Sequence, residues 1–311
     1  MKLAFVYAGQ GSQHVGMGQD FYEEFSEFAQ VFDHAPVDFD LKQLCFDGPE
    51  ERLSQTRYTQ PCMAAFAVGV TDLLYREGIR PRAAAGLSLG EYSALYAAGV
   101  FSRGAVISTV ALRGRAMEEA AAGLDCGMTA VLGLDRKKLQ TACSRAAELG
   151  VVQICNYNCP GQLVIGGEKA AVGRAAALAK EKGAKRCLPL KVSGPFHTPL
   201  MAPAGEALEA YLRTVPLREP QIPVLFNCLG REKGDGDSIP ALLVRQVQSS
   251  VYMEDSIRRM GELGLDGIVE IGPGKALSGF VKKTLPGFPV RAVETVEDVE
   301  ALERAVEEGT L

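Results

Sequence analysis

The sequence has no tryptophan and only three histidines, His14, His34 and His197, so any chemistry that needs an imidazole has few places to find one. No apolar stretch approaches the roughly 18 residues needed to span a bilayer. The opening MKLAFVYAGQ carries too short an apolar run for a signal peptide, and a cytoplasmic protein is expected. No run of five like charges occurs, and 33 basic against 38 acidic residues leave a net charge of -5. Neither a nucleic-acid groove nor a polybasic membrane anchor is expected from that balance. The eight cysteines are scattered without C-x-x-C spacing, so a disulfide framework and a zinc knuckle are both disfavoured. Cys155 and Cys159 lie close together but have no neighbouring histidine, and no metal is implied.

What is present is a chain of 311 residues, 47% hydrophobic and 23% charged, long enough for one large domain with an insert or for two domains. Short β-rich runs alternate with helical patterns, the signature of an α/β fold with parallel strands. Leu3 to Tyr7 reads as the first strand, followed by the turn Gly9-Gln10-Gly11-Ser12-Gln13 and a helix over Asp20 to Phe32. Gln60 to Glu77 reads as a helix with Pro61 near its start, and Arg82 to Leu87 as a buried strand running into Ser88. Between residues 125 and 191 the order strand, helix, strand, strand, helix, strand predicts a small ferredoxin-like (βαββαβ) domain. It is inserted into a large α/β-hydrolase-like domain made of 1–124 and 192–311. Strands are expected again near Val224 to Asn227 and Gly267 to Glu270, and Gly272-Pro273-Gly274 opens what reads as the last helix. A ligand cleft is expected between the two parts.

Gly86-Leu87-Ser88-Leu89-Gly90 fits G-x-S-x-G between a strand and a helix, the context that holds a serine hydroxyl out over a sheet edge. The competing reading is a glycine-rich turn whose serine caps the helix. Of the three histidines, His197 is the best-placed base, because it sits in the proline-bracketed loop Ser193-Gly194-Pro195-Phe196-His197-Thr198-Pro199. His14 and His34 read as solvated. A triad acid between Ser88 and His197 is not evident: Asp125 lies at the insert boundary, Asp135 reads as a helix cap, and the six glutamates in the interval read as solvated or helix-surface. A Ser-His dyad oriented by a neutral acceptor, such as a main-chain carbonyl, is expected instead. Arg113 shares a helix face with Val106, Val110 and Met117 and therefore points inward, whereas Arg115 belongs to the polar side. A buried guanidinium must meet either a protein carboxylate or a ligand anion. The Gln10 turn is neither a Rossmann nor a P-loop fingerprint. It is better used as a second backbone donor beside the Leu89 N–H, facing the oxygen of a tetrahedral intermediate.

These segments, in this order, resemble the malonyl-CoA:acyl carrier protein transacylase family of fatty-acid synthesis over nearly the whole chain. GQGSQ at 9–13, GLSLGEYSAL at 86–95, LRG at 112–114 with Met117, NYNCPGQLVIGG, GPFHTPLM and EIGPGKALSGF each have a counterpart there. The resemblance implies that Ser88 accepts a malonyl group, His197 is the base, and Arg113 holds the malonyl carboxylate. It further implies that the Gln10 and Leu89 amides form the oxyanion hole and that the carbonyl of Gln246 orients His197. Phe196 resembles the malonyl-selecting form of its motif in related polyketide acyltransferases. Malonyl-CoA and an acidic acyl carrier protein would be the partners, with no cofactor beyond the coenzyme A substrate, and a monomer is expected. Lys182, Lys185, Arg186 and Lys191 are candidates for a basic docking patch. The chain departs from the family at Leu87, where many members have histidine, and at Ser250 and Met253 in place of proline and tryptophan. Two rivals stay open: an acyl hydrolase or polyketide-pathway acyltransferase using the same Ser-His site, and a carrier-docking module with a dead site.

Overall fold

The first strand, β1 (Leu3–Tyr7), is buried at every residue and sends alternate side chains to opposite sides. Leu3, Phe5 and Tyr7 enter one apolar cluster, Ala4 and Val6 another. A strand buried on both faces needs helices above and below it, which is the arrangement of a parallel sheet. The computed structural model describes residues 1–311 and has that arrangement.

After β1 come α1 (Gln19–Glu24), α2 (Ser26–Asp33), α3 (Leu41–Asp47), α4 (Glu50–Leu53), α5 (Thr56–Arg76), β2 (Pro81–Gly86), α6 (Gly90–Ala97) and α7 (Arg103–Ala121). The middle of the chain supplies β3 (Cys126–Leu132), α8 (Arg136–Ala146), β4 (Val152–Cys159), β5 (Gln162–Glu168), α9 (Lys169–Glu181) and β6 (Arg186–Pro189). The chain closes with α10 (Ala202–Leu212), β7 (Val224–Leu225), α11 (Ile239–Val247), α12 (Met253–Glu262), β8 (Gly267–Ile271), α13 (Ala276–Thr284), β9 (Val290–Val293) and α14 (Val296–Glu308).

Two sheets result. The large one is parallel throughout, in the order β7-β2-β1-β8-β9. The small one is antiparallel, in the order β4-β5-β3-β6, the pairing of a ferredoxin-like unit. One face of the small sheet packs on α8 and α9 through Val131, Leu139, Ile165 and Leu178. Its other face gives Met128, Cys155 and Val164 to a cluster shared with Met117 of α7, Phe196, Met201 and Val247. The fold is therefore a large α/β part carrying a small inserted one, and an apolar cluster lies in the seam between them.

Three sequence expectations need correction. The helix expected over Asp20 to Phe32 is two helices, because Phe25 adopts an extended conformation (φ -121°, ψ 114°) between them. The break lets Phe21 and Phe28 stack at 5.2 Å, with both rings edge-on to Phe66. The helix expected from Gln60 begins at Thr56, since Tyr58 and Thr59 already donate to the Gln55 carbonyl, and Pro61 lies inside it. The helix after Gly272-Pro273-Gly274 is not the last, because β9 extends the large sheet and α14 follows.

Candidate active site

Ser88 stands two residues beyond the end of β2 at φ 53°, a left-handed conformation unusual for a residue with a side chain. The glycines on either side permit the turn. A Cβ on Gly86 would lie 2.0 Å from the carbonyl carbon of Gly90, and one on Gly90 would lie 2.2 Å from the carbonyl oxygen of Tyr7. Only bare backbone lets strand, turn and α6 come this close, so the serine is presented at the carboxyl end of the sheet.

His197 also sits at positive φ, 61°, in a buried loop braced by a hydrogen bond from the Thr198 hydroxyl to the Pro195 carbonyl. Its Nδ1 lies 2.8 Å from the main-chain oxygen of Gln246 and its Nε2 lies 2.7 Å from Ser88 Oγ. A carbonyl can only accept, so Nδ1 carries the hydrogen and Nε2 offers its lone pair to the serine hydroxyl. Burial, and then the nearby Arg113 cation, pull the imidazole down to about 4, which keeps it neutral at neutral pH with the Nε2 lone pair free. The neutral acceptor expected in place of a triad acid is the Gln246 carbonyl.

Arg113 projects inward from α7 and is 1% exposed. Gly114 beside it allows the helix to press against α5, where an added Cβ would meet the Thr56 carbonyl oxygen at 2.6 Å. That approach brings Gln60 of α5 within reach. The guanidinium donates to Gln60 Oε1 at 2.8 Å, to Gln246 Oε1 at 2.9 Å and to Ser88 Oγ at 3.1 Å, while its Nε has no partner. No carboxylate forms an ion pair with it, and burial lowers its pKa from the ordinary value. An arginine remains cationic even so. The site thus holds a buried positive charge met by two neutral amides, the Ser88 hydroxyl and the face of the Tyr92 ring, 5.3 Å away, but by no carboxylate.

The cavity above Ser88 has a volume of about 460 Å³ and is walled by both parts of the molecule. Gly9, Gln10, Leu87, Leu89 and Met117 come from the large part, and Met128, Asn156, Asn158 and Val164 from the small one. Phe196 and Lys191 also line it. The N–H groups of Gln10 and Leu89 donate to no protein group, whereas the Ser88 N–H is taken by Asn227 Oδ1 at 2.7 Å. Both amides belong to residues of the cavity wall.

An acyl transferase domain model matches residues 4–307. The chain belongs to the acyl transferase family. It is 40% identical to the malonyl CoA-acyl carrier protein transacylase of Bacillus subtilis over 302 residues, covering 96% of this chain and 95% of that protein. The Escherichia coli protein of the same name is also 40% identical, over 295 residues, with 94% and 96% covered. The crystal structure of the Streptococcus pneumoniae protein superposes with a TM-score of 0.93 at 44% identity, covering 97% of this chain and 99% of that one. A malonyl-transacylase in complex with a type II polyketide synthase acyl-carrier protein superposes with a TM-score of 0.94 at 38% identity, covering 98% and 100%.

In this acyltransferase the seven residues singled out from sequence, Ser88, His197, Gln246, Gln10, Leu89, Arg113 and Phe196, all lie in or directly behind one cavity. His14 and His34 do not; His14 is exposed and bonds Glu294 at 3.0 Å. Asp135 caps α8, as read from sequence. Glu91 is a correction. Read as solvated or helix-surface, it is fully buried, because α6 is packed on nearly all sides where it leaves the turn. Its Oε2 accepts the Asn227 N–H at 2.5 Å, and burial pushes its carboxyl up to about 8. Gln60, Asn227 and Gln153, whose Nε2 donates to the His197 carbonyl at 2.7 Å, were missed. A polar residue in an otherwise buried helix was the one available signal, and it pointed to Gln60. The departures at Ser250 and Met253 are accommodated: the Ser250 hydroxyl donates to the Ile154 carbonyl at 2.7 Å and Met253 is buried in the core.

Proposed function

We propose that the protein transfers a malonyl group from malonyl-CoA to the phosphopantetheine thiol of an acyl carrier protein through a malonyl ester on Ser88. The observation that carries this reading is Arg113, a buried cation without a carboxylate partner, 3.1 Å from the Ser88 hydroxyl and facing the cavity. A donor acyl group with a free acid at its far end supplies the missing anion, held by the guanidinium fork. In acylation the Ser88 proton passes to His197 Nε2 while Oγ attacks the thioester carbonyl. The negative oxygen rests on the Gln10 and Leu89 amides. The thioester C–S bond then breaks, and the sulfur leaves as free thiol with the proton from His197. In the second half the carrier thiol gives its proton to His197 and attacks the ester carbonyl; the bond from that carbon to Ser88 Oγ breaks, and Oγ takes the proton back from His197.

This cycle requires no resident cofactor, and coenzyme A enters and leaves as a substrate. Lys185, Arg186 and Lys191 are exposed just ahead of, on and just beyond edge strand β6, and Lys191 also lines the cavity, which supports docking of an acidic carrier there. Phe196 in the cavity wall favours malonyl over a branched acyl group. A cytoplasmic monomer is part of the same reading.

Mixing the protein with malonyl-CoA should add the mass of one malonyl group, and Ser88→Ala should abolish the adduct. The adduct should persist in water and vanish rapidly when carrier protein is added. Rapid loss in water alone would make the protein a hydrolase, and no adduct would make it a docking module. Running fatty-acid and polyketide carriers side by side identifies the acceptor.

A further inference from the structure

Ser88 is kept at φ 53°, a conformation costing roughly 1–2 kcal/mol for a residue with a Cβ, and something must hold it there. The parallel ladder between β2 and β7 has its last backbone pair at Ala85 and Leu225. Two residues on, Asn227 lies beside Leu87 with its side chain turned back toward β2. Its Nδ2 donates to the Gly86 carbonyl at 2.7 Å, and its Oδ1 accepts the Ser88 N–H at 2.7 Å. A residue in a parallel ladder bonds in the same way, to the carbonyl before and the N–H after its neighbour. The side-chain amide therefore replaces a peptide unit at the point where Ser88 swings out of the strand.

We propose that Asn227 is a positioning residue, whose amide continues the β7–β2 ladder for one more step and thereby fixes the turn that aims Ser88 Oγ at His197. Asn227 is itself held on both sides, its N–H by Glu91 Oε2 at 2.5 Å and its carbonyl by the Tyr252 N–H at 2.8 Å. Glu91 is three residues past Ser88, so the contacts close a ring around the elbow. Gln246 Nε2 donates to the Ser88 carbonyl at 2.7 Å, fixing the other side of the same residue. By taking the Ser88 N–H, Asn227 also leaves Leu89 as the elbow amide that faces the cavity.

The inference rests on Ser88 being the acylated residue, and the test separates the two. Single-turnover formation of malonyl-Ser88 is followed by quenched mass measurement, per folded molecule. Asn227→Ala is expected to slow it on the order of 10²-fold, because misplacement of a reacting group by about 1 Å costs that much. KM for malonyl-CoA should stay within about twofold, since Arg113 and the cavity wall are untouched. Asn227→Asp keeps the acceptor for the Ser88 N–H and should recover about tenfold of the loss. Leu225→Val, on the last paired residue of β7, serves as the stability control and should acylate at the wild-type rate. Wild-type acylation by Asn227→Ala, or equal slowing by Leu225→Val at matched stability, overturns the role. If Asn227→Ala does not fold, Asn227→Asp decides: about tenfold slower at unchanged KM supports the proposal, and the wild-type rate refutes it. A wild-type chain that gains no malonyl mass refutes the nucleophile assignment instead.

Discussion

The base role proposed for His197 requires an unprotonated Nε2, and the surroundings of the ring extend that condition well into acid. Burial and the Arg113 cation hold the imidazole at about 4 against an ordinary value of 6.5. The acidic limb of kcat/KM is therefore expected near pH 4 rather than 6.5, measured at saturating carrier with a stable buffer series. Removing the cation should move the limb upward, so Arg113→Ala should lose malonyl transfer by roughly 10²-fold or more and acetyl transfer far less, the difference being one buried charge-assisted pair. Equal losses for both donors would refute the carboxylate clamp. Glu91 titrates in the opposite sense. Its folded carboxyl, pushed up to about 8 from 4.5, binds a proton that the unfolded chain releases, so its contribution to stability is full below pH 4.5 and is lost as pH rises through 8. His197 contributes a slope of the other sign between about 4 and 6.5, where the unfolded chain binds the extra proton. The window from 6.5 to 8 therefore isolates Glu91 from His197, and there Glu91→Gln should flatten the fall in urea-unfolding free energy seen for the wild type.

The strand-turn-helix that presents Ser88 depends on two close approaches that no side chain survives. Gly90→Ala places a methyl group 2.2 Å from the Tyr7 carbonyl oxygen, and the resulting displacement of α6 should cost at least ~1–3 kcal/mol by urea denaturation, with loss of the malonyl adduct. Gly104→Ala is the contrasting case: the position is exposed in the first turn of α7 with open space around it, and alanine there should stabilise by up to ~1 kcal/mol. The difference marks what a sequence can reveal. G-x-S-x-G and the inward face of α7 were legible because both patterns are local, one a spacing of glycines and the other a 3.6-residue period. Glu91 was misread because a lone glutamate in a helix is ordinarily solvated, and nothing within α6 announces that its polar side is also covered. Asn227 was invisible for a different reason. Its role follows from β7 lying next to β2, which brings Asn227 to Ser88 across 139 residues of sequence, and no local pattern encodes that. The split of α1 from α2 at Phe25 likewise goes with a tertiary contact, the edge-on packing of Phe21 and Phe28 against Phe66 of α5.

The small sheet meets the large part through side chains belonging to both, and this decides how the molecule should unfold. Met128 and Val164 from the small sheet pack with Met117, Phe196 and Met201, in a cluster that neither part can bury alone. Hydrogen bonds reinforce it: Val251 ahead of α12 exchanges backbone bonds with Cys155 and Tyr157 of β4, and Arg136 of α8 pairs with Glu254 and Asp255 of α12. The cavity wall depends on the same junction, since the His197 carbonyl is held by Gln153 of β4. A single unfolding transition is therefore expected despite the two sheets. The absence of tryptophan leaves tyrosine as the fluorophore, and Tyr157 and Tyr252 stack across the junction with ring centroids 4.9 Å apart. The summed emission of the nine tyrosines, these two included, should change at the same urea concentration as far-ultraviolet circular dichroism. Val164→Ala removes two methyl groups from the shared cluster and should lower the unfolding free energy by about 1–3 kcal/mol, moving the common midpoint down without dividing the transition. Two separated transitions, with the tyrosine signal leaving first, would mean that the seam is a contact between independent units. In that case the geometry of His197 could not be attributed to the packing of the small sheet against α7.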